Sequence, residues 1–257
     1  MKIRKETLCL LGALVISVGQ QILFSTFYYM LPEDSLMKRM MTLLGGDFLA
    51  GGYIQWATFF AFYWSLAEIF VKRTRLKREL KVLSSHLLPT KDRHIIMPNE
   101  VSALYSKACD FENKRGATLL TNIIKKACLK FRSTNSVGEM IEIISIQTDI
   151  DKDKSESAQS NIRYLTWLIP SLGFIGTVIG ISQALQIANS GDMAMITKTL
   201  GVAFDTTLLA LVLSVVVMWF FHSLQEETDN LHGQFKEYVI ENLVNRVEKK
   251  EIDQAAS

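Results

Sequence analysis

Two apolar segments of the chain carry small and hydroxylated side chains at spacings that could serve ion conduction through a membrane. At about 100° per residue, one stripe of such residues lies on a single helix face in each segment. The stripes consist of Gly173, Gly176, Thr177, Gly180 and Ala184 in the first segment, and of Ala203, Thr207, Ala210 and Ser214 in the second. Small residues on one face let membrane helices approach closely, and Gly176 and Gly180 have the small-xxx-small spacing. Helix packing explains the glycines, whereas Thr177 could equally pack or line a polar path.

Asp205 is the acidic residue of the second segment, and it points well over a right angle away from the centre of that stripe. A carboxylate inside a membrane costs roughly 2.5–3.5 kcal/mol on insertion scales, so it normally faces a bundle interior or a water path. We interpret Asp205 and its neighbour Thr206 as candidate ion-pathway residues together with Thr177 and Thr207. The alternative is a structural carboxylate near the outer boundary, bonded to Thr206, Thr207 or a neighbouring helix.

Other chemistry finds little support in the sequence. The three cysteines (Cys9, Cys109 and Cys128) and the four histidines have no metal-ligand spacing. We find no nucleophile–base pairing and no phosphate-binding loop, so we expect neither an enzyme nor a cofactor or metal site. The net charge of +2 provides no basic field for nucleic acid.

Four segments are long and apolar enough to cross a membrane, whose hydrocarbon core requires about 20 residues of helix. They cover residues 7–30, 48–71, 164–187 and 199–221. The first follows a basic start that resembles a signal peptide. Its apolar stretch is too long, however, and no small-residue cleavage site follows it, so we interpret it as a retained anchor.

The distribution of basic residues predicts the orientation of these spans. Lysines and arginines precede the first span and cluster at 72–81 after the second, whereas the two short links carry mixed charge. Because cytoplasmic loops are rich in Lys and Arg, we expect both termini in the cytoplasm and both short links outside.

The remaining chain predicts cytoplasmic helices. We expect a helix continuing the second span to about residue 88 and a loop bracketed by Pro89 and Pro98, followed by a helix for which Asn99 is a plausible N-cap. A further helix is expected over 117–131, and one that starts near 139 is expected to continue into the third span. The tail is expected to be a helix that packs on this insert, or alternatively one that docks a partner.

These expectations give an all-α integral membrane protein with four transmembrane helices and long cytoplasmic helical extensions. Its predicted divisions are a first pair of spans with a short periplasmic link, a cytoplasmic insert, a second pair of spans, and a cytoplasmic tail. They cover residues 1–71, 72–163, 164–221 and 222–257.

The two motif-bearing segments resemble the MotA/TolQ/ExbB family of proton channels. The stretch from Pro170 to Ile181 is similar to the family's signature of a proline followed by GLLGTVxGI. The stretch 203–214 is similar to its second signature, in which a threonine is followed three residues later by a small residue and leucine. The four-span topology looks like the MotA branch, and the motifs look more like ExbB and TolQ. ExbB-like members carry an acidic residue where this chain has Val202.

The resemblance implies an ion channel or stator subunit, with protons favoured over sodium, in a bacterial inner membrane. It implies a homopentamer around a dimer of a single-span partner of the MotB/ExbD/TolR kind, which carries the ion-binding membrane aspartate. Thr177 and Thr207 then match the family's pore-lining threonines, and ion flux would rotate the pentamer around its partner. The alternative is a structural membrane scaffold, in which the small-residue stripes serve assembly alone.

Overall fold

The chain is almost entirely helical in the computed structural model, which describes residues 5–32, 35–85, 87–89, 95–189 and 191–247. No β-strand occurs within these ranges; one isolated parallel bridge joins Ile96 and Val247. The α-helices are α1 (Lys5–Met30), α2 (Leu36–Leu43), α3 (Tyr53–Leu83), α4 (Glu100–Arg115), α5 (Leu119–Thr134), α6 (Val137–Ala158), α7 (Ser160–Ala188) and α8 (Met193–Asn242). A π-helical turn, Phe48–Gly52, precedes α3, and a 3₁₀ turn, Val244–Arg246, follows α8.

Four helical segments of the described chain are long and apolar enough to span a membrane, which confirms the predicted fold class. They lie within Thr7–Met30, Phe48–Leu83, Val137–Ala188 and Met193–Arg246. Large apolar side chains stand exposed along them: Val15 is 69% exposed on α1 and Val215 is 67% exposed on α8. Such faces are unfavourable in water and suit contact with lipid or with another membrane helix.

Two helix boundaries differ from the sequence prediction. Helix α3 ends at Leu83 rather than near residue 88. The helix that was expected to run unbroken from the insert into the third span is divided, because α6 ends at Ala158 and α7 begins at Ser160. Gln159 stands between them as a single irregular residue, and its side chain does not cap α7.

The chain forms two compact units. The first contains the described parts of Met1–Lys72 and Gln159–Leu224, and the second those of Arg73–Ala158 and Gln225–Ser257. In the first unit an apolar core joins the second, third and fourth spans. It consists of Ala61, Ile69, Ile162, Leu165, Ile169, Val217, Phe221 and Leu224.

The link between the first two spans is folded tightly against them in the first unit. Ser35 caps α2, and Asp47 caps the π-helical turn, accepting a hydrogen bond from the Ala50 amide at 3.2 Å. Gly51 in this turn has φ +124°, a conformation that side-chain-bearing residues rarely adopt. The link therefore reaches α3 through a sharp reversal that glycine permits.

The second unit is a helical bundle built from α4, α5, α6 and the adjoining parts of α3 and α8. Phe131 of α5, Met140 of α6 and Phe235 of α8 lie in one fully buried core. The tail helix packs on the insert, in agreement with the first of the two predictions for it. Asn99 does occupy the N-cap position of α4, although its side chain accepts no capping hydrogen bond there.

Candidate functional site

Helices α7 and α8 approach closely because each glycine of the α7 stripe faces a small residue or threonine of α8. A Cβ atom built on Gly173 would lie 2.5 Å from the Cβ of Ala210. One on Gly176 would lie 2.8 Å from the Cβ of Thr206, and one on Gly180 would lie 3.1 Å from the Cα of Ala203. Carbon atoms at rest are about 3.5–4.0 Å apart, so any side chain on these glycines would force the two helices apart.

The structure places Ala203 and Ala210 of α8 at this contact, where each is at most 2% exposed. Ser214 is 5% exposed and donates a hydrogen bond to the carbonyl of Leu211 within its own helix at 2.8 Å. The contact therefore contains Gly173, Gly176 and Gly180 of α7, together with Ala203 and Ala210 of α8.

Thr207 lies at the edge of the contact. Its hydroxyl donates to the carbonyl of Gly173 across the two helices at 2.7 Å, and its side chain is half-buried. The hydroxyl hydrogen is used in this bond. The lone pairs of the oxygen can still accept a hydrogen bond from a hydrated proton or coordinate a cation. The same bond fixes where that oxygen points.

Thr177 and Thr206 bond within their own helices instead. The Thr177 hydroxyl donates to the carbonyl of Phe174 at 2.7 Å, and that of Thr206 donates to Ala203 at 2.7 Å. Thr177 is half-buried, whereas Thr206 is 2% exposed and packs against Gly176. Thr177 and Thr207 therefore keep access to the surface of the unit, and Thr206 lies in its interior.

Asp205 is buried beside the threonines and forms an ion pair with Arg39 of α2. The Nη2 atom of Arg39 donates to Oδ1 of Asp205 at 2.8 Å, and Nη1 donates to Oδ2. The side chain of Asp205 is 6% exposed and that of Arg39 is 58% exposed. Sequence reasoning considered Thr206, Thr207 or a neighbouring helix as partners and missed Arg39. The available signal was that an acid buried in a membrane requires a cation, and the first link carries Lys38 and Arg39.

The helix contact leaves little space between α7 and α8, as the short distances at Gly173, Gly176 and Gly180 require. Beside it, between α7, α8 and the start of α3, lies a cavity of about 10 Å³ whose lining includes Gly176, Thr206 and Gly51. That is about the smallest volume that holds one water molecule. Val202, which stands where ExbB-like proteins have an acid, lines the same cavity and is buried.

A much larger cavity, of about 1070 Å³, opens on the first unit between α2 and the start of α8. Arg39, Lys38 and Lys198 contribute cationic side chains to its wall, and Leu36 and Met193 contribute apolar ones. Lys38 also lies over the ring of Tyr28, 4.8 Å from its centroid.

Other polar residues of the spans hold helices together. Glu68 is 3% exposed, accepts a hydrogen bond from Asn161 at 3.3 Å and lies 3.5 Å from Nζ of Lys72. Gln20 accepts from the hydroxyl of Tyr63, and Gln21 donates to the carbonyl of Gly45 at 2.7 Å. Neither set joins the threonines. Among the described residues no group of His, Cys, Asp and Glu could hold a metal ion.

Residues 116–237 match the MotA/TolQ/ExbB proton channel family. The matched segment includes the small-residue stripes of both α7 and α8. No curated protein and no solved structure gave a match.

Proposed function

We propose that this chain, whose residues 116–237 match the MotA/TolQ/ExbB proton channel family, is the channel subunit of an ion-driven rotary motor. The subunit would assemble as a homopentamer around a dimer of a single-span partner that brings an ion-binding aspartate into the membrane. Protons are the proposed ion, and the bacterial inner membrane, with both termini cytoplasmic, is the proposed location.

The observation that carries this proposal is the position of Thr207. Its oxygen is held at the edge of the α7–α8 contact by the bond to Gly173, while the glycines of α7 bring the two helices into close contact. We therefore expect an ion path along the threonines to run over the outer surface of the α7–α8 pair. Such a surface becomes a channel when neighbouring subunits and the partner enclose it.

Exposed apolar side chains support the same arrangement. Phe174 is 67% exposed and Val178 is 52% exposed beside Thr177, while Leu208 and Leu211 are about half exposed beside Thr207. Lipid or protein can cover these groups. A neighbouring copy of α7 and α8 would exclude water from the hydroxyls, so that hydrogen-bonding groups would select which ion enters.

In the proposed mechanism the threonines receive the proton and the partner's aspartate carries it. The lone pairs of Thr177 and Thr207 would accept hydrogen bonds from a hydrated proton, next to the point where the partner's carboxylate is protonated. Neutralising that carboxylate lowers the cost of moving it past the apolar side chains of the next subunit. Repetition around the ring would turn ion flux into rotation.

The test is proton flux in liposomes that contain the chain and its single-span partner. Thr207→Val should reduce the flux at least tenfold, whereas Thr207→Ser, which keeps the hydroxyl, should retain most of it. Thr177→Val should also reduce the flux strongly. Thr166→Val is the matched control for Thr177, because Thr166 is also half-buried on α7 and also donates to a carbonyl three residues earlier.

The competing function is a structural scaffold without conduction. It draws support from the fact that the hydroxyls of Thr177, Thr206 and Thr207 all donate to backbone carbonyls, as packing residues do. Partner-dependent flux that persists in the Thr177→Val/Thr207→Val double variant would favour the scaffold. A native mass measurement that gives five copies to two of the partner would favour the motor.

A further inference from the structure

The external helix α2 is fastened to three of the four spans. On the α1 side, Lys38 lies over the ring of Tyr28. On the α3 side, Gln55 donates to the carbonyls of Thr42 at 3.1 Å and of Leu43 at 2.7 Å. On the α8 side, Arg39 binds Asp205 with two hydrogen bonds.

The bond to α8 is the one that reaches the candidate ion pathway. Asp205 directly precedes Thr206, which packs on Gly176, and Thr207, which bonds to Gly173. A shift of the turn that carries Asp205 would therefore move both threonines relative to α7. The other two attachments of α2 involve residues of the first pair of spans.

The geometry does not suit Asp205 as a carrier of protons. A carrier must exchange its proton with the conducting path, but this side chain is 6% exposed and both of its oxygens bind one guanidinium group. Arginine keeps its charge at any pH that a protein tolerates, and its planar fork matches a carboxylate in two-bond geometry. Paired in this way, the carboxylate acts as an anchor.

We propose that Arg39 is a positioning residue, which fastens α2 to α8 through Asp205 and thereby holds Thr206 and Thr207 in register against α7. Arg39 lines the large cavity beside α2 and is more than half exposed, so this is the open side of the attachment. The effect on flux rests on the proposed function, whereas the effect on stability does not.

The unequal burial of the two partners predicts an asymmetric response. Removing Arg39 leaves an uncompensated charge on a buried carboxylate, which is among the more destabilising single changes. Removing the charge of Asp205 leaves an arginine that is already 58% exposed and can turn into the adjoining cavity at little cost. The double variant removes both charges and therefore leaves neither one unpaired.

The experiment measures the apparent melting temperature of the detergent-purified chain and the proton flux of the complex with its partner in liposomes. We expect Arg39→Gln to melt roughly 5–10 °C below the wild type and to lose most flux. We expect Asp205→Asn and Arg39→Gln/Asp205→Asn to melt within about 3 °C of the wild type, because neither leaves a buried carboxylate unpaired. Asp205→Asn should keep at least a third of the flux, because its amide oxygen can still accept a hydrogen bond from Arg39. The double variant should lose most flux, because α2 is no longer fastened to α8. Arg39→Lys, which keeps the charge without the fork, should fall between Arg39→Gln and the wild type.

Lys198→Gln is the matched control, because it removes one positive charge from the same cavity without touching the ion pair. It should leave the melting temperature unchanged. Two outcomes would overturn the proposal. In the first, Asp205→Asn abolishes flux at an unchanged melting temperature, so that Asp205 carries the ion. In the second, Arg39→Gln melts with the wild type and conducts normally, so that the pair positions nothing. If the wild-type complex conducts no ions at all, the proposed function fails, and the melting comparison alone decides the role of Arg39.

Discussion

Substituting Gly173 by alanine should separate α7 from α8 and disturb the Thr207 hydroxyl in one step. The new Cβ would lie 2.5 Å from that of Ala210 and 3.1 Å from the Cα of Thr207. Since carbon atoms rest about 3.5–4.0 Å apart, the helices must move by roughly 1 Å at this level. That movement would stretch the hydrogen bond from Thr207 to the Gly173 carbonyl, now 2.7 Å, beyond the range of a good bond.

The cost can be assembled from two contributions. Overpacking of a close contact costs about 1–3 kcal/mol, and the lost hydrogen bond about 1 kcal/mol. The sum of about 2–4 kcal/mol corresponds to a fall of roughly 5–15 °C in melting temperature for a chain of this size. The assay is thermal unfolding in detergent, followed by size-exclusion chromatography to measure the oligomer that survives.

Two further variants make this prediction specific. The double variant Gly173→Ala/Ala210→Gly should be clearly more stable than Gly173→Ala, because the second substitution removes the Cβ atom that the new Cβ meets. Gly12→Ala in α1 is the control, because a Cβ at Gly12 would meet nothing within 4 Å. This substitution also adds a methyl group to a glycine of a span, but it causes no clash. The reasoning is refuted if Gly173→Ala melts with the wild type, or if Ala210→Gly brings no recovery.

Three further predictions concern the second unit. Burial raises the pKa of the Cys128 thiol to about 12. In the native protein a maleimide should therefore label Cys109 and leave Cys128 unlabelled until denaturant is added. Equal labelling of the two cysteines would show that α5 is not packed as described. Burial alone would raise the pKa of Glu112, but the hydrogen bonds that it accepts from Lys125 and Thr121 outweigh that effect and lower the pKa below 4.5. These bonds therefore stabilise the fold above about pH 4.5, and their contribution is lost as the pH falls through the folded-state pKa. Glu112→Gln should reduce the free energy of unfolding at pH 7 by about 1 kcal/mol and make stability fall less steeply in acid. Phe235→Ala removes a fully buried ring and should cost about 3–5 kcal/mol in unfolding free energy, measurable as loss of helical circular dichroism in denaturant.

The four spans and most helices could be predicted because hydrophobic length and helical spacing are properties of neighbouring residues. The glycine stripe of α7 was readable for the same reason, and its partners on α8 followed from a second stripe of similar spacing. The helices of the second unit were recognised from proline and polar breaks such as Ser133 to Ser136, and α5 does end close to that point, at Thr134.

The partner of Asp205 could not be predicted from such patterns. Arg39 is separated from Asp205 by 166 positions, and their pairing depends on how the link between α1 and α3 folds back on the spans. Sequence spacing is equally silent on whether the Thr207 hydroxyl bonds within its own helix or across to Gly173. The division of α6 from α7 at Gln159 also escaped prediction, because no proline or glycine marks it.

The tightly folded link between α1 and α3 bears on how the protein enters the membrane. Its carbonyls at Gly45 and Gly46 accept hydrogen bonds from Gln21 and Ser25 of α1, at 2.7 and 2.9 Å, and that of Leu43 accepts from Gln55 of α3. Peptide groups satisfied in this way can lie at membrane depth without water. We therefore expect the first two spans to insert as a joined hairpin during synthesis, before α7 and α8 have been made. The folded pair would then already provide its packing surface when α7 and α8 enter the membrane.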